Sequence, residues 1–465
     1  MQKIAGWDHW QISFDRAGNA DAALRAALLD QVARADLTDL IVMSHGWNTS
    51  PQAATGLYEH WFGMLPALMP AGSSARLGTV GVYWPAMLWP DEAPPVDDAA
   101  DGGAAAFPES AGSADSPGAP VAALSEVYPD PGQQGILRQL AALLDAQSPD
   151  PRELGRFHEL MRQLGDTEPQ AISAEDSGPL TMLDEDAETL AARFAAALDT
   201  AAFGLATAQE VSGDADQGGA AVLPDLTLAD TDDGTAAAGM GQITGRLWNG
   251  AKEALRQFTY WQMKHRAGTV GQHGLGPVLA ELGRRSPDLR LHLVGHSFGA
   301  RLVSFSLLGL DGGSPSPVRS LTLLEGAFSH FTFATRLPHD PARSGALSGM
   351  MARVAGPLLA CYSSHDTAVG LFYPVASMTS NDDAAGLTDE LMFRWGAVGH
   401  DGAQAVAAPV VPLRDVSARY SLAASQFTNI DASRIVCHGK PPSGAHSDIV
   451  HPELAWAMLT AAGLT

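Results

Sequence analysis

Apolar and polar positions along the chain fall into two periods, one of strands and one of helices. Residues 7–14 carry a short strand pattern. Over 20–34, Ala20, Ala23, Leu24, Ala27, Leu28 and Val32 recur at helical spacing, which predicts an amphipathic helix. "LTDLIVMSHGWN", 37–48, is an apolar run of the buried-strand kind that ends in a His-Gly turn. Helical spacing returns over 52–69. "LGTVGVYWP", 77–85, is another short strand, stopped by proline.

The middle of the chain reads differently. Residues 91–132 and 212–240 are rich in Ala, Pro, Gly, Asp and Ser and predict loosely packed or disordered loops. Helical patterns lie between them near 134–147, 151–164 and 183–209, and a long helix is expected over 241–266. Regularity resumes at 271. A helix at 275–285 precedes a strand at 289–294 and a helix at 298–310. "VRSLTLLEG" (318–326), "GPLLACYSSHD" (356–366) and "ASRIVCHG" (432–439) each contain a strand, and a helix over 452–462 ends the sequence. Strands alternating with helices imply an α/β fold: a mostly parallel sheet covered on both faces, with active groups gathered at the strands' carboxyl ends.

Charge sharpens the division. Of the 465 residues, 91–240 hold 29 acidic and 5 basic ones, a balance of −24 that equals the net charge of the whole chain. The excess is confined to an insertion, which leaves three segments: 1–90 as the first part of a core, 91–268 as an acidic insertion and 269–465 as the second part of the core. The sign of the charge argues against nucleic acid or anionic lipid as an electrostatic partner. No apolar run is long enough for a membrane span. "MQKIAGWDHWQISF" lacks the apolar centre of a secretory signal, so a cytoplasmic location is expected. Cys361 and Cys437 each end a strand-like run and share no metal spacing; both are expected to be buried thiols.

One stretch carries chemistry. In "LHLVGHSFGARLVSFSLL", 291–308, Ser297 stands between Gly295 and Gly299 where a strand pattern meets a helix pattern. A serine hydroxyl is a weak nucleophile that needs an adjacent base and must project from its backbone. A sharp strand–turn–helix projects it, and small residues two before and two after let strand and helix cross. An oxyanion formed on attack needs two N–H donors. Phe298 supplies one, and Trp47, after the His45-Gly46 turn, supplies the other. His45 itself reads as a residue that shapes this turn. Trp84 and Phe328 follow strand ends, where a substrate pocket would form, although core packing would account for either.

With these residues the chain resembles the α/β-hydrolase superfamily, over about 1–90 and 270–465. The resemblance implies a cofactor-independent serine hydrolase of carboxylesterase or lipase type, and a chain order of serine, acid, histidine. The acid then belongs after the second strand beyond the serine, at Asp366. Glu325, one strand earlier, and Asp401 are the alternatives; His365, beside Asp366, reads as a loop residue. The base belongs between the last strand and the last helix, where His438, His446 and His451 stand. His446, in a glycine-rich loop with Asp448 nearby, fits best. Arg301 reads as a helix anchor, and no metal-ligand cluster is visible.

Two functions follow. The first is hydrolysis of a small-molecule carboxylic ester through an acyl-enzyme, with lipase, thioesterase and amidase or peptidase chemistry as variants of the same triad. The insertion would then be a lid or cap. The second is a non-catalytic hydrolase-like scaffold whose acidic insertion docks a protein partner. Neither implies a metal, and the sequence leaves the oligomeric state open.

Overall fold

The computed structural model describes residues 2–86, 116–124, 128, 130–165, 183–211, 236–313, 315–374, 393–439 and 443–465. Nine strands form one mixed sheet: β1 (Gln2–Ile4), β2 (Trp7–Ser13), β3 (Asp39–Ser44), β4 (Leu77–Tyr83), β5 (Arg290–His296), β6 (Val318–Leu324), β7 (Leu358–Tyr362), β8 (Val410–Pro412) and β9 (Phe427–Asp431). Their spatial order is β1-β2-β4-β3-β5-β6-β7-β9-β8. Only the β1–β2 pairing is antiparallel; the other seven are parallel. The central strands are apolar on both faces because helices cover both. Leu40 and Val42 of β3 face one hydrophobic cluster, and Ile41 and Met43 face the other.

Pro51–Leu68 (α1) and Pro452–Ala462 (α2) pack on the second face, where Trp61, Leu65, Leu454 and Met458 are buried. Phe298–Phe305 (α3) covers the first face together with the helix Ala22–Val32. Helices Pro131–Ala146, Pro151–Gly165, Ala187–Val211 and Ala236–Thr269 (α4) join the same cluster through Leu140, Phe157, Phe194 and Trp248. A π-helical turn, Val270–Leu275, continues α4 into the helix Gly276–Arg285. No helix among the described residues is long and apolar enough to cross a membrane.

Several expectations need correction. The strand read at 432–439 is a turn, and the paired strand lies earlier, at Phe427–Asp431. The Asp431 carboxylate accepts from the Ser433 amide and bends the chain there. Ala432 and Val436 are still fully buried, so a turn packed into the core imitates a strand in sequence. Cys437, at the exit of that turn, is exposed, whereas Cys361 on β7 is buried. The helix at 298–310 gives way to a 3-10 turn at Ser306–Gly309. Part of the loop expected over 91–132 is packed: Ala119–Ala123 is helical, and Val121, Leu124 and Tyr128 sit in the core at helix-like spacing. Residues 91–115, 125–127 and 129 of that loop, and 212–235, lie outside the described residues.

Candidate active site

The strand order sets the place of the site. β3 and β5 are neighbours, but the chain leaves β3 toward β4 on one side and leaves β5 toward β6 on the other. Such a reversal opens a crevice at the carboxyl ends of the two strands. Ser297 follows β5 there, and the His45-Gly46-Trp47 turn follows β3.

Ser297 has φ +55° and ψ −121°, a conformation few L-residues adopt. Its backbone is held on both sides: its N–H donates to the Leu324 carbonyl at 3.0 Å, and its carbonyl accepts from Ala327 N–H at 3.2 Å. The flanking glycines are required by contact distance. A Cβ on Gly295 would lie 2.4 Å from the Gly299 oxygen, and one on Gly299 would lie 2.2 Å from the Ser44 oxygen. The β3 turn also presses on the serine, since a Cβ on Gly46 would stand 2.8 Å from Ser297 Cβ.

Asp366 and His446 meet this serine. His446 Nε2 is 2.8 Å from Ser297 Oγ, and His446 Nδ1 is 2.6 Å from Asp366 Oδ2. A carboxylate can only accept, so Nδ1 carries the proton and Nε2 is the acceptor facing the hydroxyl. Asp366 is fully buried, and its Oδ1 accepts from the Val369 amide at 3.1 Å. The two loops are tied together: Ala445 N–H donates to the His365 oxygen at 2.9 Å, and Asp366 bridges to Gly444. Gly444 has φ +60° and would place a Cβ 2.2 Å from that same oxygen, so glycine is required. From α1, the Trp61 indole donates to the Ile449 carbonyl at 3.2 Å and steadies the histidine loop from below.

The other candidates are placed elsewhere. His45 is buried in the turn, where its Nδ1 meets the Gly46 oxygen at 2.9 Å and its ring stacks on Trp84 at 5.6 Å. Burial pushes its pKa down to about 4, so it stays neutral. Trp84 donates its indole N–H to the His45 carbonyl at 3.0 Å, and Phe328 is fully buried. Asp401 lies 3.0 Å from His330 Nδ1, away from the serine. His438 and His451 both contact Asp448, which also accepts from the Cys437 and His438 amides and so anchors the loop. Arg301 is buried, donates to the Lys264 carbonyl at 2.8 Å and covers the Phe305 ring. His365 is exposed.

Three further features adjoin the site, of which the sequence names only Glu325, as an alternative acid. His296, beside the serine, has its Nε2 2.8 Å from the His446 carbonyl oxygen. Glu325, fully buried at the end of β6, adjoins Asp366. On the far side, α4 contributes Tyr260, whose ring is 4.5 Å from that of Phe298 and 5.4 Å from that of Trp47. The aromatic run "FTYWQMKH" was the one available hint of the last.

Chemically, the arrangement offers a hydroxyl with its proton acceptor in place, a buried carboxylate behind the imidazole, and the start of α3 beside it. The first N–H groups of a helix have no intrahelical acceptor, and the helix dipole there favours negative charge. No group of three or more His, Cys, Asp or Glu among the described residues is placed to hold a metal ion. No protein-family model, curated protein or solved structure matches the chain.

Proposed function

We propose that the chain is a serine hydrolase of the α/β-hydrolase superfamily that cleaves carboxylic esters through an acyl-enzyme. The observation that carries this reading is the continuous line from Ser297 Oγ to His446 Nε2 at 2.8 Å and from His446 Nδ1 to Asp366 Oδ2 at 2.6 Å, with the serine on a strained turn between strand and helix. The spacing suits proton transfer from Ser297 Oγ to His446 Nε2, with Asp366 as the hydrogen-bond acceptor that holds the imidazole.

In this mechanism Ser297 Oγ attacks the ester carbonyl carbon as its proton passes to His446 Nε2. Asp366 stabilises the imidazolium and holds its orientation. The tetrahedral oxyanion takes hydrogen bonds from the Phe298 and Trp47 amides. Collapse breaks the bond to the leaving oxygen, which receives the proton from His446 and departs as the alcohol. Water then repeats the sequence on acyl-Ser297 and releases the acid. α4 supplies an aromatic wall through Tyr260, which packs on Phe298, and the insertion it belongs to would cap the site.

The test is covalent labelling. A fluorophosphonate probe should form one adduct, mapped by mass spectrometry to Ser297, and p-nitrophenyl esters of rising chain length should then rank the acyl preference. A protein that neither labels nor hydrolyses any member of the panel would overturn the proposal.

A further inference from the structure

A second carboxyl group is sealed beside the acid. Glu325 directly follows β6, has no exposed surface, and adopts φ +45°. Its N–H donates to the Cys361 oxygen at 3.1 Å, and Gly399 packs so closely that a Cβ there would lie 2.5 Å from the Glu325 carbonyl carbon. Neither carboxyl oxygen of Glu325 has a well-aligned hydrogen-bond donor among the described residues; the Ser363 amide lies near enough to lower its pKa, an effect smaller than those of burial and Asp366. The nearby Ser363 amide gives its N–H to the Gly399 oxygen at 3.1 Å.

An ionised carboxylate in such a position would be a buried charge whose nearest donor, the Ser363 amide, is already bonded to Gly399, which is unfavourable. A neutral carboxyl has an O–H to give, and its hydrogen-bond neighbour is Asp366. The titratable groups acting on it are Asp366 from the loop after β7, Cys361 from β7 and Asp448 from the histidine loop, none of them cationic. Burial, and then the charge of Asp366, push the Glu325 pKa well above the usual carboxyl range.

We propose that Glu325 is a positioning residue: as a neutral carboxylic acid it donates a hydrogen bond to Asp366 and holds that carboxylate in the orientation that receives His446 Nδ1–H. This role rests on the serine hydrolase reading; the acid pair itself does not. Two carboxyls then carry one negative charge, which balances the single imidazolium formed during attack. A second charge would bind the imidazole proton more tightly and delay its delivery to the leaving group.

Infrared spectroscopy of the full chain at pH 8 tests the pair without any substrate. The wild type should show the carbonyl stretch of a protonated carboxylic acid, and E325Q should lack it; absence of that band from the wild type overturns the proposal. Kinetics with p-nitrophenyl acetate test the role. E325L, which cannot donate, should lower kcat about 10- to 100-fold with KM little changed, because the imidazole loses its fixed orientation. E325Q, whose amide can donate, should recover most of that loss, with the acid limb of its pH profile where the wild type has it. A limb displaced downward by about one pH unit would mean that a negative charge had been removed, and would overturn the proposal. If E325L does not fold, the E325Q profile and the infrared band decide the matter. A wild type that shows the band but is not labelled by fluorophosphonate overturns the hydrolase reading, and the positioning role with it, while leaving the acid pair standing.

Discussion

The imidazole of His296 holds the main chain of His446: its Nε2 lies 2.8 Å from the His446 carbonyl oxygen. A carbonyl can only accept, so His296 carries its proton on Nε2. Complete burial pushes its pKa down to about 3, which keeps the ring neutral. The residue before Ser297 therefore fixes the loop that bears His446. His296→Phe keeps a ring in place but removes the donor. Its kcat on p-nitrophenyl acetate should fall about 10- to 100-fold, with a smaller change in KM, because the imidazole of His446 is released from its line to Ser297. An unchanged kcat would sink this assignment.

Ser297→Ala should abolish hydrolysis, with residual rates no more than about 10⁻³ of wild type. Its thermal midpoint should hardly move, since the side chain is small and alanine keeps the same strained φ of +55°. Ser297→Gly should be equally inactive but more stable, because glycine adopts positive φ freely. Differential scanning calorimetry separates the two variants. Equal midpoints would mean that the turn stores no strain.

Asp366→Asn should lower kcat by about 10³ or more. The amide can present N–H₂ to His446 Nδ1 and favour the tautomer whose proton sits on Nε2, facing Ser297. Steady-state kinetics beside Glu325→Gln decide which carboxyl is the acid. A severe loss in the glutamate variant and a mild one in Asp366→Asn would move the acid one strand earlier.

Why Ser297, Asp366 and His446, which the structure brings together, could be picked out from sequence is a matter of local chemistry. The turn after β5 requires Gly295 and Gly299, so it leaves a local signature. Asp366 and His446 were reached through the chain order that the hydrolase resemblance implies; Asp366 follows a strand that its apolar run reveals, whereas the run before His446 belongs to a turn. His296 left no such mark, and Glu325 was legible only as an alternative acid, not as a partner of Asp366. Each acts through one long-range contact, to His446 150 residues away or to Asp366 across two strand ends, and periodicity carries no information about such pairs. The last strand was misplaced for a related reason. Burial of Ala432 and Val436 comes from a turn, and an apolar pattern records burial rather than backbone shape. Tyr260 escaped notice because an aromatic on a long helix reads as core, and here it is buried against Phe298 and Trp47 at the site.

Gly46 offers a way to disturb the site without touching a reacting group. A methyl added there would stand 2.8 Å from Ser297 Cβ and 3.0 Å from His296 Nδ1, so the turn after β3 must back away from the serine. Gly46→Ala should fold, retain a wild-type far-ultraviolet circular dichroism spectrum, and lose about 10²-fold in kcat through displacement of the Trp47 amide. Gly299→Ala should instead fail to give soluble protein, because its Cβ would lie 2.2 Å from the Ser44 oxygen and 2.4 Å from the His45 oxygen, both rigid backbone. A soluble, active Gly299→Ala would refute the packing argument, and an active Gly46→Ala would remove the turn from the mechanism.

Acid should expose the buried imidazoles and the buried carboxyl with opposite signs. Burial lowers the pKa of His296 to about 3 and of His45 to about 4 in the folded chain, from the ordinary histidine value of 6.5. Below pH about 6.5 the unfolded chain binds protons that these folded rings refuse, so each contributes stability that is complete above that pH and is lost as pH falls toward the folded value. From pH 7 to pH 5 the loss is on the order of 2 kcal/mol for each ring. Glu325 works the other way. Its folded pKa is raised, so its contribution is complete below the unfolded carboxyl value of about 4.3 and is lost as pH rises through the folded value. Acidification from pH 7 to pH 5 thus stabilises the fold through Glu325 while it destabilises it through the histidines. Urea unfolding at the two pH values should show His296→Phe losing about 2 kcal/mol less than wild type, and Glu325→Gln losing more than wild type. If all three proteins lose the same amount, neither group is held in the folded state in the protonation form assigned to it.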